Sequence, residues 1–234
     1  MIQKVKRDTL SDQVIQGLIA FIDSRDLTPG DSLPSESQLA EEFGASRPVI
    51  REALKVLQGE GIIEIITGRN AVIKPVSSTI LKKFFQRAVA FKSASFRDLI
   101  EVRRGLEMQS AMLAAERCTD DDLGRIQEVL LLMRESLTDH QRFAGYDVQF
   151  HLLIAATARN PMIYYLVESL RDAMRDNVLQ GLKHRFSRED YRPVQARHED
   201  IFQALTKRDS QQAMQAMQAH FEEALNAASA DEKD

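Results

Sequence analysis

Hydrophobic positions recur along this chain in two rhythms. From about residue 79 they step by three and four: Leu123, Ile126, Leu130, Met133 and Leu137 form one stripe, Ile163, Leu166, Leu170 and Met174 another, and Leu99, Val102 and Leu106 begin a third. That spacing returns a side chain to one face of an α-helix at every turn. It predicts about seven helices, roughly over 79–93, 96–118, 120–138, 140–158, 161–182, 187–208 and 210–228, with connections short enough for neighbours to pack antiparallel as a bundle. Before KPVSST the elements are shorter, most of the glycines occur, and a β-branched run, GIIEIITGRNAVIKPV, appears. The change of rhythm sets a boundary, with one domain over 1–76 and a second over 77–234. The fold class expected is mainly α.

Within the first domain, Val14, Ile15, Leu18, Ile19 and Ile22 mark one side of a helix over roughly 10–24. Ser35 caps a second helix with Gln38 three residues on, and Leu39 and Phe43 give it an apolar face. Gly44-Ala45 breaks that helix, Ser46 can cap a third, Pro48 fits its first turn, and Ile50, Leu54 and Leu57 bury it. Two short helices around a tight Gly-containing turn make a helix-turn-helix. Candidate strands Ile62–Ile66 and Ala71–Lys74 then flank Thr67-Gly68-Arg69-Asn70, a hairpin that forms a wing with Arg69 at its tip.

Composition narrows the classes. With 44% hydrophobic and 28% charged residues the chain buries a real core. No apolar run approaches the roughly 18–20 residues that span a bilayer, and the first residues lack a secretory pattern, so a cytoplasmic protein is expected. The single Cys118 cannot form an intrachain disulfide and excludes a thiolate-rich zinc site. Net charge is −4, and the first 76 residues hold nine Lys or Arg against eleven Asp or Glu. Bulk charge therefore gives no argument for nucleic acid, and placement has to supply it. Arg47 and Arg51 lie one turn apart at the start of the third helix, beside its apolar stripe, where a recognition helix meets bases and phosphates. Arg69 is placed to reach a minor groove or the backbone.

The run TPGDSLPSESQLAEEFGASRPVIREALKVLQGEGIIEIITGRNAVI resembles the winged helix-turn-helix of the GntR superfamily of bacterial transcription regulators, over roughly residues 10–76. The resemblance implies operator contact by Ser46, Arg47, Pro48 and Arg51 in the recognition helix and by Gly68 in the wing. Ser37 stands where many members carry Arg, and the wing lacks a second glycine that many show.

The second domain poses a chemical question. Phe143, Asp147, Phe150, His151 and Ile154 share a helical stripe; so do Val194, His198, Ile201 and Leu205, and Ala213, Met217, His220 and Ala224. Three of the five histidines and one Asp thus face inward. A buried carboxylate is costly without a partner, and buried imidazoles need donors or acceptors. Each His singly reads as a hydrogen-bonded core residue, but together Asp147, His151, His198 and His220 suit one divalent ion: zinc by preference, or nickel, manganese or iron(II). Arg103 lies beside the Leu99–Leu106 stripe, where its guanidinium needs an anion. Glu101 or Glu107 could supply one internally, or the metal and Arg103 could clamp a small carboxylate effector.

DLIEVRRGLE with LAAER, DVQFH, the His198 of ARHEDIFQAL and the His220 of MQAHF resemble the all-helical FCD-type effector domain of the FadR-like branch of the same superfamily, over roughly residues 79–228. The resemblance implies metal binding by Asp147, His151, His198 and His220, with Arg103 on the effector. The function expected is a homodimeric, carboxylate-responsive regulator binding operator DNA, a repressor by default. Two alternatives stand beside it. A metalloenzyme would explain a site of three histidines and one aspartate, although no H-E-x-x-H motif and no obvious general base accompany it. A constitutive DNA binder with a structural metal would keep the site without a ligand response.

Overall fold

The computed structural model describes residues 9–185 and 191–231. They form ten helices and one two-stranded ribbon: α1 (Leu10–Ser24), α2 (Glu36–Glu42), α3 (Arg47–Gly59), β1 (Ile63–Glu64), β2 (Val72–Ile73), α4 (Thr79–Ala90), α5 (Phe96–Arg117), α6 (Asp120–Glu135), α7 (His140–Thr157), α8 (Pro161–Arg185), α9 (Arg192–Thr206) and α10 (Ser210–Asp231). The chain divides into two compact units, Met1–Ile80 and Leu81–Asp234.

In the first unit α1 and α2 pack on α3. Leu18, Leu39, Ile50, Leu57 and Ile63 are fully buried, each contributing about 1.5–3 kcal/mol by leaving water. The centre of the α1 stripe is Val14 and Leu18; Ile15 and Ile22 are half-buried, and Ile19, one residue round from Leu18, is 38% exposed. Capping boxes start α1 at Thr9 with Asp12 and α2 at Ser35 with Gln38. Gly44 makes the helix-turn-helix corner at φ +60°, a conformation that side chains with a Cβ resist. Its N–H bonds the Glu41 carbonyl and the next N–H reaches back to Ala40, which closes α2 with a Schellman turn. The strands are shorter than the apolar runs suggest. Ile63 pairs with Ile73 and Glu64 with Val72, antiparallel, and Ser32 adds an isolated bridge to Val72.

The second unit is the antiparallel helical bundle. α10 packs on α5 and α9, α6 on α7 and α9, and α5 also on α7, α8 and α9. Phe150, Ile126, Met133, Ile154, Leu170 and Phe221 are among the fully buried side chains that hold it together. Capping boxes at Ser95 with Asp98 and at Thr119 with Asp122 fix the starts of α5 and α6. Two expectations shift. Val102 is 52% exposed, and the buried face of α5 runs instead through Leu99, Ile100, Glu107, Ser110, Ala111 and Ala114. α9 begins at Arg192 with Pro193 in its first turn, a slot suited to a residue without an N–H; the expected start at 187 lies outside the described residues. No described helix is long and apolar enough to cross a membrane.

Candidate metal centre and nucleic-acid interface

The start of α3 presents a group of exposed polar residues. Ser46, Arg47, Pro48 and Arg51 are all exposed, while Ile50, Ala53, Leu54 and Leu57 anchor the opposite face. Ser46 sits at the N-cap position, but its side chain makes no cap hydrogen bond, unlike Thr9, Ser35, Ser95 and Thr119. The expected cap is thus right in position and absent as a bond, and the first N–H groups of α3 are left to other acceptors, which is how a helix start meets phosphate. Arg51 is less available than the sequence suggests. Its Nε and Nη2 donate to Glu36 of α2, at 3.1 and 2.7 Å. Gly68 turns the wing at φ +77°, and Arg69 is exposed beside it.

In the bundle, Asp147 and His151 of α7, His198 of α9 and His220 of α10 converge. One candidate ligand atom from each lies within 4.8 Å of the others. The two Nε2 atoms of His151 and His198 are 3.2 Å apart, and Asp147 Oδ1 is 3.0 Å from His198 Nε2 and 3.7 Å from His151 Nε2. Two ligands each about 2.0–2.1 Å from one ion are separated by roughly 3 Å, so this donor set and spacing fit a first-row divalent metal. His151 and His198 are fully buried and packed against the Phe150 ring. Asp147 is 26% exposed and His220 half-buried, which puts the open side of the centre at these two.

Three charged neighbours surround the ligands. Glu107 of α5 is buried, with Oε2 2.6 Å from His151 Nδ1. Arg171 of α8, also buried, donates Nε and Nη2 to both Glu107 oxygens at 3.2 and 2.7 Å, and Nη1 to Asp147 Oδ2 at 3.1 Å. Arg103 donates Nε to Glu107 Oε1 at 2.8 Å, places Nη1 3.4 Å from Met174 Sδ, and lies over the Phe221 ring. Of the two internal partners the sequence offered Arg103, the structure uses Glu107. Burial alone would raise the Glu107 carboxyl, but Arg171, Arg103 and His151 hold it well below its usual range. Asp147 follows the same pattern: burial opposes its charge, and the hydrogen bond to His198 with the fields of His151 and Arg171 overcomes it. Burial, then Arg171, pushes His151 down to about 4, and burial, then His198 and His151, pushes His220 well below its ordinary value. These two imidazoles are therefore neutral at physiological pH, the state in which they ligate metal.

Sequence reasoning brought together the four candidate ligands and placed Arg103 beside them. It passed over Arg171 and treated Glu107 only as a counterion for Arg103. A signal for Glu107 existed: it lies four residues after Arg103 and four before Ala111, in register with the apolar face of α5. Arg171 carried a fainter one, four residues past Val167 and three before Met174.

Comparison with known proteins places both units. Residues 10–73 match the model of the bacterial regulatory proteins of the gntR family, and residues 98–223 match the FCD domain. The chain is 32% identical over 202 residues to the HTH-type transcriptional regulator LutR of Bacillus subtilis, covering 86% of this chain and 92% of that protein. It is 30% identical over 230 residues to the HTH-type transcriptional repressor NanR of Escherichia coli, covering 96% and 84%. Among solved structures, the Streptococcus agalactiae GntR superposes with a TM-score of 0.65 at 23% identity, over 92% of this chain and 99% of that one, a likeness of fold. The families and these relatives are regulators of transcription rather than enzymes. The chain belongs to the GntR family of transcription regulators, in the branch that joins a winged helix-turn-helix to an FCD domain.

Proposed function

We propose that the protein is a cytoplasmic, carboxylate-responsive repressor. It acts as a homodimer whose winged domains read a pseudo-palindromic operator through Ser46, Arg47, Pro48, Arg51, Gly68 and Arg69. Its helical domain holds one divalent ion, zinc by preference, on Asp147, His151, His198 and His220. The observation that carries this reading is the convergence of four ligand atoms within 4.8 Å, in a chain whose other unit belongs to a DNA-binding family. When bound, the ion supplies a Lewis-acidic contact for an oxygen of a small carboxylate. Arg103, 12% exposed and stacked over Phe221, gives the ligand its second point of attachment, in competition with Glu107. The same Glu107 approaches His151, so a ligand that draws Arg103 away alters a contact of the metal centre itself. Operator affinity changes to the extent that the carboxylate prefers one arrangement of the paired winged domains over another.

Elemental analysis of untagged protein, followed by operator titrations with a panel of hydroxy acids and sugar acids, tests the reading. The expected result is about one divalent ion per chain, lost in Asp147→Ala and His151→Ala. A carboxylate should then weaken operator binding by the wild type and have little effect on Arg103→Ala. Metal-free wild type, even after reloading, would remove the metal centre. Full metal with no carboxylate response would leave a constitutive binder with a structural ion.

A further inference from the structure

Among the described residues three buried side-chain nitrogen or oxygen atoms lack a hydrogen-bond partner: His151 Nδ1, His198 Nδ1 and Gln195 Oε1. The first has the Glu107 carboxylate 2.6 Å away. The other two belong to one helix, α9, three residues apart on its buried face, where side chains are neighbours. One is a ring nitrogen able to donate and the other a carbonyl able only to accept. Leaving such groups unpaired in the interior is costly, so two complementary ones less than a turn apart call for an explanation.

Metal ligation supplies it. His198 turns Nε2 toward Asp147 Oδ1 at 3.0 Å and His151 Nε2 at 3.2 Å, so Nε2 is the ligating atom and must offer a lone pair. The ring proton of the neutral imidazole then sits on Nδ1 and needs an acceptor. Gln195, three residues earlier on the same buried face, carries an acceptor that is itself without a partner. Its Nε2 donates to the Leu130 carbonyl of α6 and to Glu199 Oε1, both at 3.2 Å. Both partners accept only, so the amide cannot be turned over, and Oε1 is the atom left without a partner. Gln195 is 4% exposed and His198 fully buried, which excludes bulk solvent as the alternative acceptor.

We infer that Gln195 is the positioning residue of His198: its side-chain carbonyl takes the Nδ1 proton, directly or through one bridging water, and so fixes the ring with Nε2 on the metal. Gln195 would offer His198 a neutral acceptor, where His151 has the Glu107 carboxylate 2.6 Å from its Nδ1. This rests on the metal reading above. It adds a residue that touches neither ion nor effector and reaches the ion only through His198.

Zinc affinity, measured by competition with a chromophoric chelator in the full-length protein, separates this role from simple packing. Gln195→Leu removes donor and acceptor together and should weaken zinc binding about 10- to 100-fold. Gln195→Glu keeps an acceptor oxygen but loses the donor to Leu130 and sits beside Glu199. Its metal-free form should melt below wild type, as the Leu variant does, while zinc affinity stays near wild type. If the only role of Gln195 were to tie α9 to α6, the Glu variant would bind zinc as poorly as the Leu variant, and the inference would fail. Equal zinc affinity in wild type and Gln195→Leu would also overturn it, whereas wild type that binds no zinc would take down the metal reading as well. Should both variants misfold, histidine ¹⁵N spectra of zinc-loaded wild type decide: a slowly exchanging Nδ1–H on His198 is expected, and a proton on Nε2 or fast exchange at Nδ1 overturns the assignment.

Discussion

Arg47 and Arg171 carry the same guanidinium into opposite surroundings. Arg47 stands exposed at the start of α3, and Arg171 is enclosed between α5, α7 and α8 with a carboxylate on either side. In the first unit the folded core is apolar, and the polar residues proposed to read DNA add little to it. In the second the proposed functional residues are themselves interior, so their charges must balance before any ligand arrives. The proposed DNA-reading surface can thus be changed without unfolding its scaffold, whereas the proposed metal centre and the fold of the bundle share the same bonds.

The contrast is sharpest at Arg171. Arg171→Met preserves most of the side-chain volume but strands Glu107, which is buried, and Asp147, which is 26% exposed, both held ionised in part by this arginine. Removing one partner of a buried ion network costs about 3–5 kcal/mol. Urea unfolding of the metal-free variant should show that loss in the transition of the bundle. A loss below about 1 kcal/mol would mean that the network is solvated in solution and that the two regions differ less than drawn.

Arg47→Ala should behave in the reverse way. Its thermal unfolding should match wild type within about 0.5 kcal/mol, as for an exposed position that makes no buried contact. Operator affinity should fall by about 1–3 kcal/mol if Arg47 meets a base, or the salt dependence should drop by roughly one ion if it meets a phosphate. Binding that keeps both its strength and its salt slope would take Arg47 off the interface.

The same contrast explains what could be read from the chain. The helix-turn-helix was legible because local signals agree: the Ser35 capping box, Gly44 at the corner, and the Ile50, Leu54 and Leu57 face. The helical stripes and the four candidate ligands were legible because each histidine stands in register with apolar residues on its own helix. Glu107 was legible only as a counterion for Arg103, and Arg171 and Gln195 were passed over. Glu107 and Arg171 meet across 64 residues, and which face of α8 turns toward α5 depends on packing angles that no local pattern records. Val102 misled for the same reason: its spacing from Leu99 and Leu106 is helical, but the inward direction of α5 is set by its neighbours. The strands came out short: ladder pairing is confined to Ile63–Glu64 and Val72–Ile73, and the backbone of Ile62 and Ala71 beyond them bonds Lys74 and Leu33 instead.

The smallest expected effect lies between these extremes, at Arg51. Its fork on Glu36 links α3 to α2 across 15 residues, with 54% and 31% of the two side chains exposed. The pair holds Glu36 below and Arg51 above their ordinary pKa values, chiefly through the hydrogen bond between them. Exposed pairs of this kind are screened by water and salt and contribute little to stability. Glu36→Gln should therefore leave the melting temperature nearly unchanged. It should free the guanidinium of Arg51 for the phosphate backbone, raising operator affinity modestly at low salt and steepening the salt dependence by at most about one ion. If operator binding weakens instead, Glu36 is aiming Arg51 at its target rather than withholding it. The winged unit would then depend on a pre-built ion pair much as the bundle does.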